Sequence, residues 1–295
     1  IRLLRKLRPD AIHLNSSKMG VIGSLAGWIA RVPRIVYCIG GWSFLESLSK
    51  PKRQFYILAE RLSGYWKDLI ICVHPGDLKE ANRYHIQGRE PTQVIPNGID
   101  LGVLDTHRYS RLEARTKLDL NQDVFIFGTI GNFYPAKDLP RYLEACALVV
   151  KQCPEVQFVL IGDGPERSLI EAARARHQLE NHVLLLGSLE EASRYLSAFH
   201  CFVFPSAKEG MAFALLEAMA ASLPCIVTDV GANKWVIGTS GWIVPPKDPR
   251  KLADAMIDAY RNQSDLSKKG RAARVEIESR FPAHATYAAH KKALE

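Results

Sequence analysis

The sequence predicts an α/β protein made of two parts, each a parallel β-sheet covered by helices. Short apolar runs of β type alternate with longer helical patterns along the chain, as expected for parallel strands joined by helical crossovers. The chain becomes polar near residues 105–120, and a second series of strands and helices follows. Its 295 residues also exceed the usual size of a single compact core. We therefore predict two Rossmann-like domains.

The first domain is assigned to residues 1–112. It has a short strand in "QVIPNGID", before a turn at Pro96, Asn97 and Gly98, and three clear strands, "AIHLN", "RIVYC" and "LIICV". The sequence starts without a methionine, inside the helical pattern "IRLLRKLRPD". We therefore expect this domain to be incomplete, with a first strand and its following loop preceding Ile1.

The second domain is assigned to residues 113–280. Its predicted strands lie in six apolar segments: "DVFIFGTIG", "VQFVLIG", "HVLLLG", "CFVFP", "PCIVTD" and "GWIVP". The final helical stretch, "PAHATYAAHKKALE", follows the last strand and makes up the third predicted region, residues 281–295. We expect this helix to cross back to the first domain.

The net charge of +8 is unevenly distributed along the chain. Residues 1–119 contain 19 Lys and Arg against 11 Asp and Glu, whereas the remaining residues contain 20 of each. A basic domain can bind anionic lipid, a phosphorylated substrate or nucleic acid. The sequence has neither an aromatic-rich basic groove nor a helix-turn-helix pattern, which disfavours nucleic acid. An anionic membrane surface is the predicted partner, with an ordinary basic surface as the alternative.

Two basic segments are candidates for contacting such a surface, "IRLLRKLRPD" and "SKPKRQF". Trp42 and Phe44, close to the second segment, are expected to lie at the membrane interface. No apolar run approaches the roughly 20 residues needed to span a bilayer. The six cysteines are scattered without close pairs, which favours buried thiols in a reducing compartment. We expect a cytoplasmic protein, peripheral on the inner face of the membrane.

A single carboxylate interrupts the apolar helical segment "AFALLEAMAA", residues 212–221. A helix that is apolar on all sides is buried, so Glu217 is either buried or faces a cleft. A carboxylate removed from water needs hydrogen-bond donors, and the two hydroxyls of a ribose diol would supply them. The alternative is an ion pair between Glu217 and a neighbouring Lys or Arg.

A second carboxylate, Glu209, follows the predicted strand "CFVFP", at the end where open α/β sheets bind ligands. It could hold sugar hydroxyls, or it could simply lie at the surface. Between the two carboxylates, the free amides at the helix N-terminus would suit a diphosphate. A molecule with hydroxyls at both ends and phosphates between them is a nucleotide sugar, which is the predicted ligand.

The segments "SAKEGMAFALLEAMAASLPCIVTDVGAN" and "GWIVPPKDPRKLADAM" resemble the donor domain of family 4 glycosyltransferases, which have the GT-B fold. The signature of that family is a Glu, seven residues and a second Glu, as in Glu209 and Glu217. Further segments follow in the family's order: "RPDAIHLNSSKMGVIGSLAGWIA", "YCIGGWSF", "VIPNGID", "GTIGNFYPAKDLPRYLEA", "IGDGPERSLIE" and "VLLLGSLEEASRYL". The resemblance thus extends over nearly the whole chain.

The resemblance implies a hexosyltransferase-type enzyme. It would move a sugar from a nucleotide-diphosphate sugar to a saccharide or lipid-linked acceptor with retention, in cell-envelope or exopolysaccharide synthesis. It implies no metal ion and no other cofactor. The alternatives are a nucleotide-sugar epimerase of similar fold and a non-catalytic nucleotide-sugar-binding module.

The resemblance also implies roles for single residues. Glu209 would contact the transferred sugar, Glu217 the ribose and Lys137 the diphosphate, so Lys137 and Glu209 are the catalytic candidates. Lys137 also follows a predicted strand that ends near Gly131, where its charge could stabilise a departing diphosphate; the alternative is a solvated loop lysine.

The other donor-binding candidates contribute mainly backbone. Gly187 and Leu189 would lie beside the base, and the amides of Gly210, Met211 and Ala212 would face the sugar and phosphates. The glycines of "IGDGP" are interpreted as a tight turn.

The sequence departs from the family pattern at three positions. Asn132 stands where an arginine usually contacts the diphosphate, although it remains a donor-binding candidate. Gly40 stands where a histidine commonly lines the reaction centre, and Trp235 stands where a glutamate is frequent. These departures place more doubt on the catalytic assignment than on the fold.

Overall fold

The strands form two separate parallel sheets in residues 1–46 and 48–295, which the computed structural model describes. The first sheet has the order β1-β2-β3-β4, and the second has the order β10-β9-β8-β5-β6-β7. Helices connect most of the strands, as parallel pairing requires. The predicted α/β class with two parallel-sheet domains is confirmed.

The first sheet contains β1 (Ala11–Asn15), β2 (Arg34–Ile39), β3 (Leu69–Cys72) and β4 (Gln93–Val94). Its helices are α1 (Arg2–Leu7), α2 (Ser17–Ala30), α3 (Lys50–Gly64) and α4 (Pro75–Arg83).

The strands of the second sheet are β5 (Ile126–Ile130), β6 (Gln157–Ile161), β7 (Val183–Leu185), β8 (Cys201–Phe204), β9 (Cys225–Thr228) and β10 (Trp242–Val244). The helices that precede or accompany it are α5 (Leu101–His107), α6 (Arg111–Lys117), α7 (Leu139–Val150), α8 (Arg167–Arg176), α9 (Phe213–Ala220), α10 (Asn233–Ile237), α11 (Pro249–Arg261) and α12 (Gln263–Arg280). The last helix is α13 (Ala283–Leu294).

The chain divides into two compact units that are each discontinuous in sequence. The first unit contains residues 1–98, 209–211 and 283–295, and the second contains residues 99–208 and 212–282. Helix α5 thus belongs to the second unit, whereas the sequence assigned residues up to 112 to the first. The reason is visible at the end of α5, where the side chain of Arg194 donates a hydrogen bond to the carbonyl of His107, 2.9 Å away.

Both faces of the first sheet are covered. Because side chains alternate across a strand, Ile35 and Tyr37 face one core and Val36 faces the other. The second core is completed by α13, whose Ala293 is buried there. Arg34 also donates a hydrogen bond to the carbonyl of Ala293, 3.0 Å away. The final helix is therefore part of the first unit's core.

Trp42 and Phe44 are core residues of the first unit. Both are fully buried, their rings stack with centroids 5.4 Å apart, and the Trp42 indole donates to the carbonyl of Asp77 at 2.9 Å. The prediction that they lie at a membrane interface was therefore wrong. A basic segment follows them in the sequence, but two large rings contribute more when they are removed from water together.

A large apolar core supports the second sheet. Phe127 and Phe158 of adjacent strands stack with ring centroids 5.6 Å apart, and Tyr142 of α7 meets Phe158 edge-on. Gly128 in β5 is required because a Cβ at that position would overlap the Phe199 ring. This rigid central sheet fixes the loops at its carboxyl edge.

Candidate active site

Lys137 lies at the carboxyl ends of the two central strands of the second sheet. Its ammonium is 4.4 Å from the ring centroid of Phe204, the last residue of β8. Its Cε lies 3.4 Å from where a Cβ would stand on Gly131, directly after β5. The amide of Ala207 donates to the carbonyl of Ala136 at 2.8 Å, which ties the lysine loop to the segment after β8. The lysine is half-buried against this edge of the sheet.

Glu217 lies on α9, whose neighbouring residues Leu215, Leu216, Ala218 and Met219 are buried. The Glu217 side chain itself is half-buried. Burial raises the pKa of its carboxyl group above the usual value. Within residues 1–46 and 48–295, no hydrogen bond or ion pair of this side chain is present, so the alternative of a salt bridge to a neighbouring Lys or Arg is not observed.

The N-terminus of α9 lacks a side-chain cap. Its N-cap residue is Ala212, which has no polar side chain, whereas Ser, Thr, Asp or Asn usually accepts a hydrogen bond at that position. The first-turn amides of a helix have no partner within the helix. A ligand anion would therefore find donors here, four residues before Glu217 and in the same helix.

The loops after β5, β6 and β7 pack closely through glycines. A Cβ on Gly162 would overlap the carbonyl of Gly131, and the Gly162 amide donates to the carbonyl of Gly187 at 2.8 Å. Gly164 has φ +158° and leaves no space for a Cβ beside Phe133. The turn itself lies at Pro165 and Glu166, where the Arg167 amide donates to the carbonyl of Gly164 at 3.1 Å. Asn132 is exposed in this loop cluster, and Leu189 is half-buried beyond Gly187.

Glu209, Gly210 and Met211 belong to the first unit, although they are flanked by residues of the second. Gly210 approaches Gly40 and Gly41 so closely that a Cβ on it would overlap the Gly40 carbonyl. The side-chain amide of Asn97 donates to the carbonyl of Met211 at 2.8 Å. Glu209 is therefore placed by contacts that its neighbours Gly210 and Met211 make with the segments after β2 and β4.

A cavity of about 400 Å³ lies at the carboxyl edge of the first sheet. Gly40 contributes to its wall, and a Cβ on this residue would have no described atom within 4 Å. Other lining residues are Asn15, Ser16, Ser17, Cys38, Gly41 and Asn97. Sequence reasoning did not single out the Asn-Ser-Ser segment. The signal was present, because polar residues directly after a predicted strand mark the edge where ligands bind.

Trp235, at the third departure from the family pattern, has a packing role. Its ring meets Phe281 edge-on with centroids 5.2 Å apart, and the Arg280 guanidinium lies 5.0 Å from its centroid. The described residues contain no group of three or more His, Cys, Asp or Glu side chains arranged to hold a metal ion. None of the described helices is both long enough and apolar enough to cross a membrane.

Two protein-family models match successive parts of the chain. Glycosyltransferase Family 4 matches residues 1–103, and Glycosyl transferases group 1 matches residues 124–262. The first match covers most of the first unit and the second covers the sheet that carries Lys137 and Glu217.

Two of the similar proteins are bacterial enzymes whose names give them as glycosyl-transferring enzymes. The chain is 29% identical over 265 residues to the Escherichia coli UDP-Gal:alpha-D-GlcNAc-diphosphoundecaprenol alpha-1,3-galactosyltransferase, covering 87% of this chain and 67% of that enzyme. It is 24% identical over 290 residues to the Staphylococcus aureus capsular polysaccharide biosynthesis glycosyltransferase CapM, covering 95% of this chain and 75% of the relative.

Solved structures share the fold. Anabaena HepE in complex with UDP and glucose superposes with a TM-score of 0.86 at 22% identity, covering 99% of this chain and 80% of HepE. Sucrose-phosphate synthase from Thermosynechococcus elongatus superposes with a TM-score of 0.85 at 23% identity, covering 99% of this chain and 74% of the synthase. The fold is that of the GT-B glycosyltransferases, which are enzymes that transfer sugars. The two matched parts identify the chain as a glycosyltransferase, and it is similar to members of family 4.

Proposed function

We propose that the enzyme transfers a glycosyl residue from a UDP-sugar to a lipid-linked saccharide, with retention of the anomeric configuration. The observation that carries the proposal is the half-buried Glu217 carboxylate, which has no partner in the described part of the chain and stands one turn from uncapped helix amides. A ribose diol would donate hydrogen bonds to the Glu217 carboxylate, and a diphosphate would accept hydrogen bonds from the α9 amides. The names of the E. coli relative and of the HepE complex support uracil as the base.

The proposed chemistry breaks the bond between the anomeric carbon and the diphosphate oxygen. An acceptor hydroxyl oxygen forms the new bond to that carbon and gives its proton to the departing diphosphate oxygen, which leaves with the bonding electron pair. Lys137 is proposed to stabilise the growing negative charge, and the α9 amides to bind the same phosphates. Glu209 is proposed to hold the hydroxyls of the transferred sugar. Asn132, Gly187, Leu189, Gly210, Met211 and Ala212 complete the proposed donor site.

We propose that transfer needs no metal ion, because Lys137 and the helix amides can supply the positive potential that a departing diphosphate requires. Turnover should therefore persist in EDTA. Loss of turnover in EDTA that added Mg²⁺ restores would contradict this part of the proposal.

The lipid-linked acceptor is supported by the E. coli relative, whose name gives an undecaprenol diphosphate as the carrier. An acceptor of that kind lies in a membrane, so we propose that the enzyme works at the cytoplasmic membrane surface. The cavity at the carboxyl edge of the first sheet, with the polar Asn15, Ser16 and Asn97, is the proposed place for acceptor hydroxyls.

The test is transfer from UDP-glucose, UDP-galactose and UDP-N-acetylglucosamine to a polyprenyl-diphosphate monosaccharide. Product analysis should show an elongated lipid-linked saccharide and free UDP. A sugar nucleotide converted to its epimer, without acceptor elongation, would instead favour an epimerase. UDP binding, seen as a raised melting temperature, without any turnover would favour a binding module.

A further inference from the structure

Helix α3 of the first unit carries an exposed apolar stripe. Phe55, Leu58 and Leu62 are 65%, 51% and 50% exposed, and their spacing of three and four residues places them on one face. Tyr65, directly after the helix, extends the stripe and is 74% exposed. The opposite face of α3 is buried. Four large apolar side chains in one line on the surface indicate an interaction site.

The buried face of α3 is held by a specific ion pair, so the stripe cannot turn inward. Lys67 is fully buried, with its ammonium 2.9 Å from a carboxylate oxygen of Glu60 and 4.3 Å from the centroid of the Tyr37 ring. Rotating α3 to bury its stripe would separate this pair in an apolar environment, which is strongly unfavourable.

A groove of about 370 Å³ lies beside the stripe, between the end of α3 and residues 85–89. That volume is within the roughly 300–1,000 Å³ of ligand pockets. The groove depends on close backbone packing, because a Cβ on Gly64 would overlap the carbonyl of Gln87. Leu58, Leu62 and Tyr65 line it, so the groove opens onto the stripe itself.

Two arginines give the groove its charge. Arg61 and Arg89 both line it, together with His85 and Gln87. In the part of the chain that the structure describes, Arg61 has no ion pair, while Arg89 uses one nitrogen for Asp68 at 3.0 Å. A guanidinium group binds phosphate through two parallel hydrogen bonds. The groove is therefore suited to a phosphate group.

Tryptophan extends the apolar surface onto α2. The rings of Trp28 and Trp66 lie with centroids 6.4 Å apart, and Trp28 is 51% exposed. Ile22, also on α2, is 56% exposed. Tryptophan is enriched at membrane interfaces, where its ring is at headgroup level.

The charge of the first unit complements an anionic surface. It contains 17 Lys and Arg against 9 Asp and Glu, a balance of +8, whereas the second unit contains 22 of each. The whole excess thus belongs to the unit that carries the stripe and the groove. Apolar side chains beside arginines, on a basic unit, favour an anionic bilayer over a second copy of this equally basic unit.

We propose that α3 docks on an anionic phospholipid leaflet, with the stripe in the headgroup region and one lipid phosphate between Arg61 and Arg89. This rests on the proposed function only in that a membrane-borne acceptor gives the docking its purpose. The docking surface includes Phe55, the last residue of the predicted segment "SKPKRQF", but not Trp42 and Phe44, which are buried.

The test is sedimentation of the full chain with vesicles of phosphatidylglycerol and phosphatidylcholine, compared with phosphatidylcholine alone. Arg61→Gln should weaken binding to the anionic vesicles about fivefold, the equivalent of the roughly 1 kcal/mol per basic residue near such a surface. Arg271→Gln, at an exposed arginine of α12, removes the same charge elsewhere and should leave binding unchanged.

The stripe is tested by Leu62→Ser, with Leu169→Ser as its control, since Leu169 is an exposed leucine of α8 with 57% exposure. Leu62→Ser should weaken vesicle binding about tenfold and Leu169→Ser should not. Equal losses in both members of either pair would overturn the proposal. So would binding that does not require phosphatidylglycerol, or a wild-type dimer that Leu62→Ser converts to a monomer.

UDP-sugar turnover with a detergent-dispersed acceptor separates this inference from the proposed function. Arg61→Gln and Leu62→Ser should retain wild-type turnover there, because neither residue belongs to the donor site. Vesicle binding by a wild-type chain that lacks turnover would sustain the docking surface while the proposed function failed.

Discussion

The Arg274 guanidinium donates a hydrogen bond of 2.6 Å to the backbone carbonyl of Ala220, the last residue of α9. The same guanidinium forms two hydrogen bonds to the carboxylate of Asp105, at 2.9 and 2.7 Å. A carbonyl at a helix C-terminus has no partner within the helix, and a cation there also interacts favourably with the negative end of the helix dipole. Arg274 therefore secures the end of the helix that carries Glu217, three residues before Ala220.

Arg274→Ala should destabilise the protein by about 1.5–3 kcal/mol, the usual cost of losing hydrogen bonds to a charged group. It should also reduce UDP affinity, because α9 is then less well fixed. Denaturant unfolding and UDP titration would measure both effects. Arg271 is exposed on α12, the helix that also carries Arg274. Arg271→Ala should change the free energy of unfolding by no more than about 0.5 kcal/mol. Equal effects of the two substitutions would contradict the capping role.

Glu217→Ala should weaken UDP binding about ten- to a hundredfold, because hydrogen bonds between a buried carboxylate and ligand hydroxyls are worth roughly 1.5–3 kcal/mol. Glu217→Gln keeps one acceptor oxygen and should lose only part of that affinity. Calorimetric titration with UDP and with uracil would measure it, and uracil should bind equally to all three proteins. Unchanged UDP affinity in the alanine variant would assign Glu217 a structural role only.

Glu217→Gln should also raise the melting temperature of the ligand-free protein at pH 7. Burial raises the pKa of Glu217, so the folded state favours its protonated form. The resulting stabilisation is full below the unfolded pKa and is lost as the pH rises through the folded pKa. The gain from glutamine should therefore be largest at neutral pH and vanish near pH 4. Glu180→Gln, at an exposed glutamate, should show no such trend.

Lys137→Ala should depress turnover more than UDP-sugar binding, if the ammonium stabilises charge that develops as the diphosphate leaves. Asn132 stands where the family usually has an arginine, so the lysine should have a larger share of that stabilisation here. Steady-state kinetics and equilibrium binding of the same donor would separate the effects. Equal losses in both would indicate simple ground-state attraction, and Lys151→Ala, outside the donor site, should affect neither.

Gly40 and Gly41 should respond differently to alanine. Gly41 has φ +110° and a Cβ on it would lie 3.3 Å from the Cα of Gly210, so Gly41→Ala should cost more than about 1 kcal/mol. Gly40 has open space around its Cα, so Gly40→Ala should change stability by less than about 0.5 kcal/mol. Chemical denaturation of both variants would measure the change in the free energy of unfolding for each. A large loss at Gly40 would mean that the cavity beside it is not open in solution.

The sequence predicted every strand because apolar β-type runs separated by helical patterns are a local signal. The environment of Glu217 was also predictable, since one carboxylate among nine apolar residues has few structural alternatives. The positions of Trp42 and Phe44 were not, because burial depends on which distant residues meet them. The carbonyl of Asp77, which accepts the Trp42 hydrogen bond, is 35 residues away in the chain.

The boundaries of the two units were also not predictable from the sequence. The predicted boundary fell in the polar stretch near residues 105–120, yet the Arg194 side chain donates to the carbonyl of His107 and so ties α5 to the second unit. A long side chain that satisfies distant carbonyls leaves no periodic pattern. The grouping of residues 209–211 with the first unit was not predictable either, because it depends on close backbone packing between Gly40 and Gly210.

The contribution of α13 to the core of the first unit has a consequence for biosynthesis. A ribosome delivers β1 to β4 long before residues 283–295, so one face of that sheet, with Val36, Leu69 and Ile71, emerges uncovered. The whole second unit is synthesised in between. Exposed apolar sheet surface of this kind invites aggregation. The newly made first unit would therefore depend on chaperones, or on the fast folding of the second unit, until the last helix arrives.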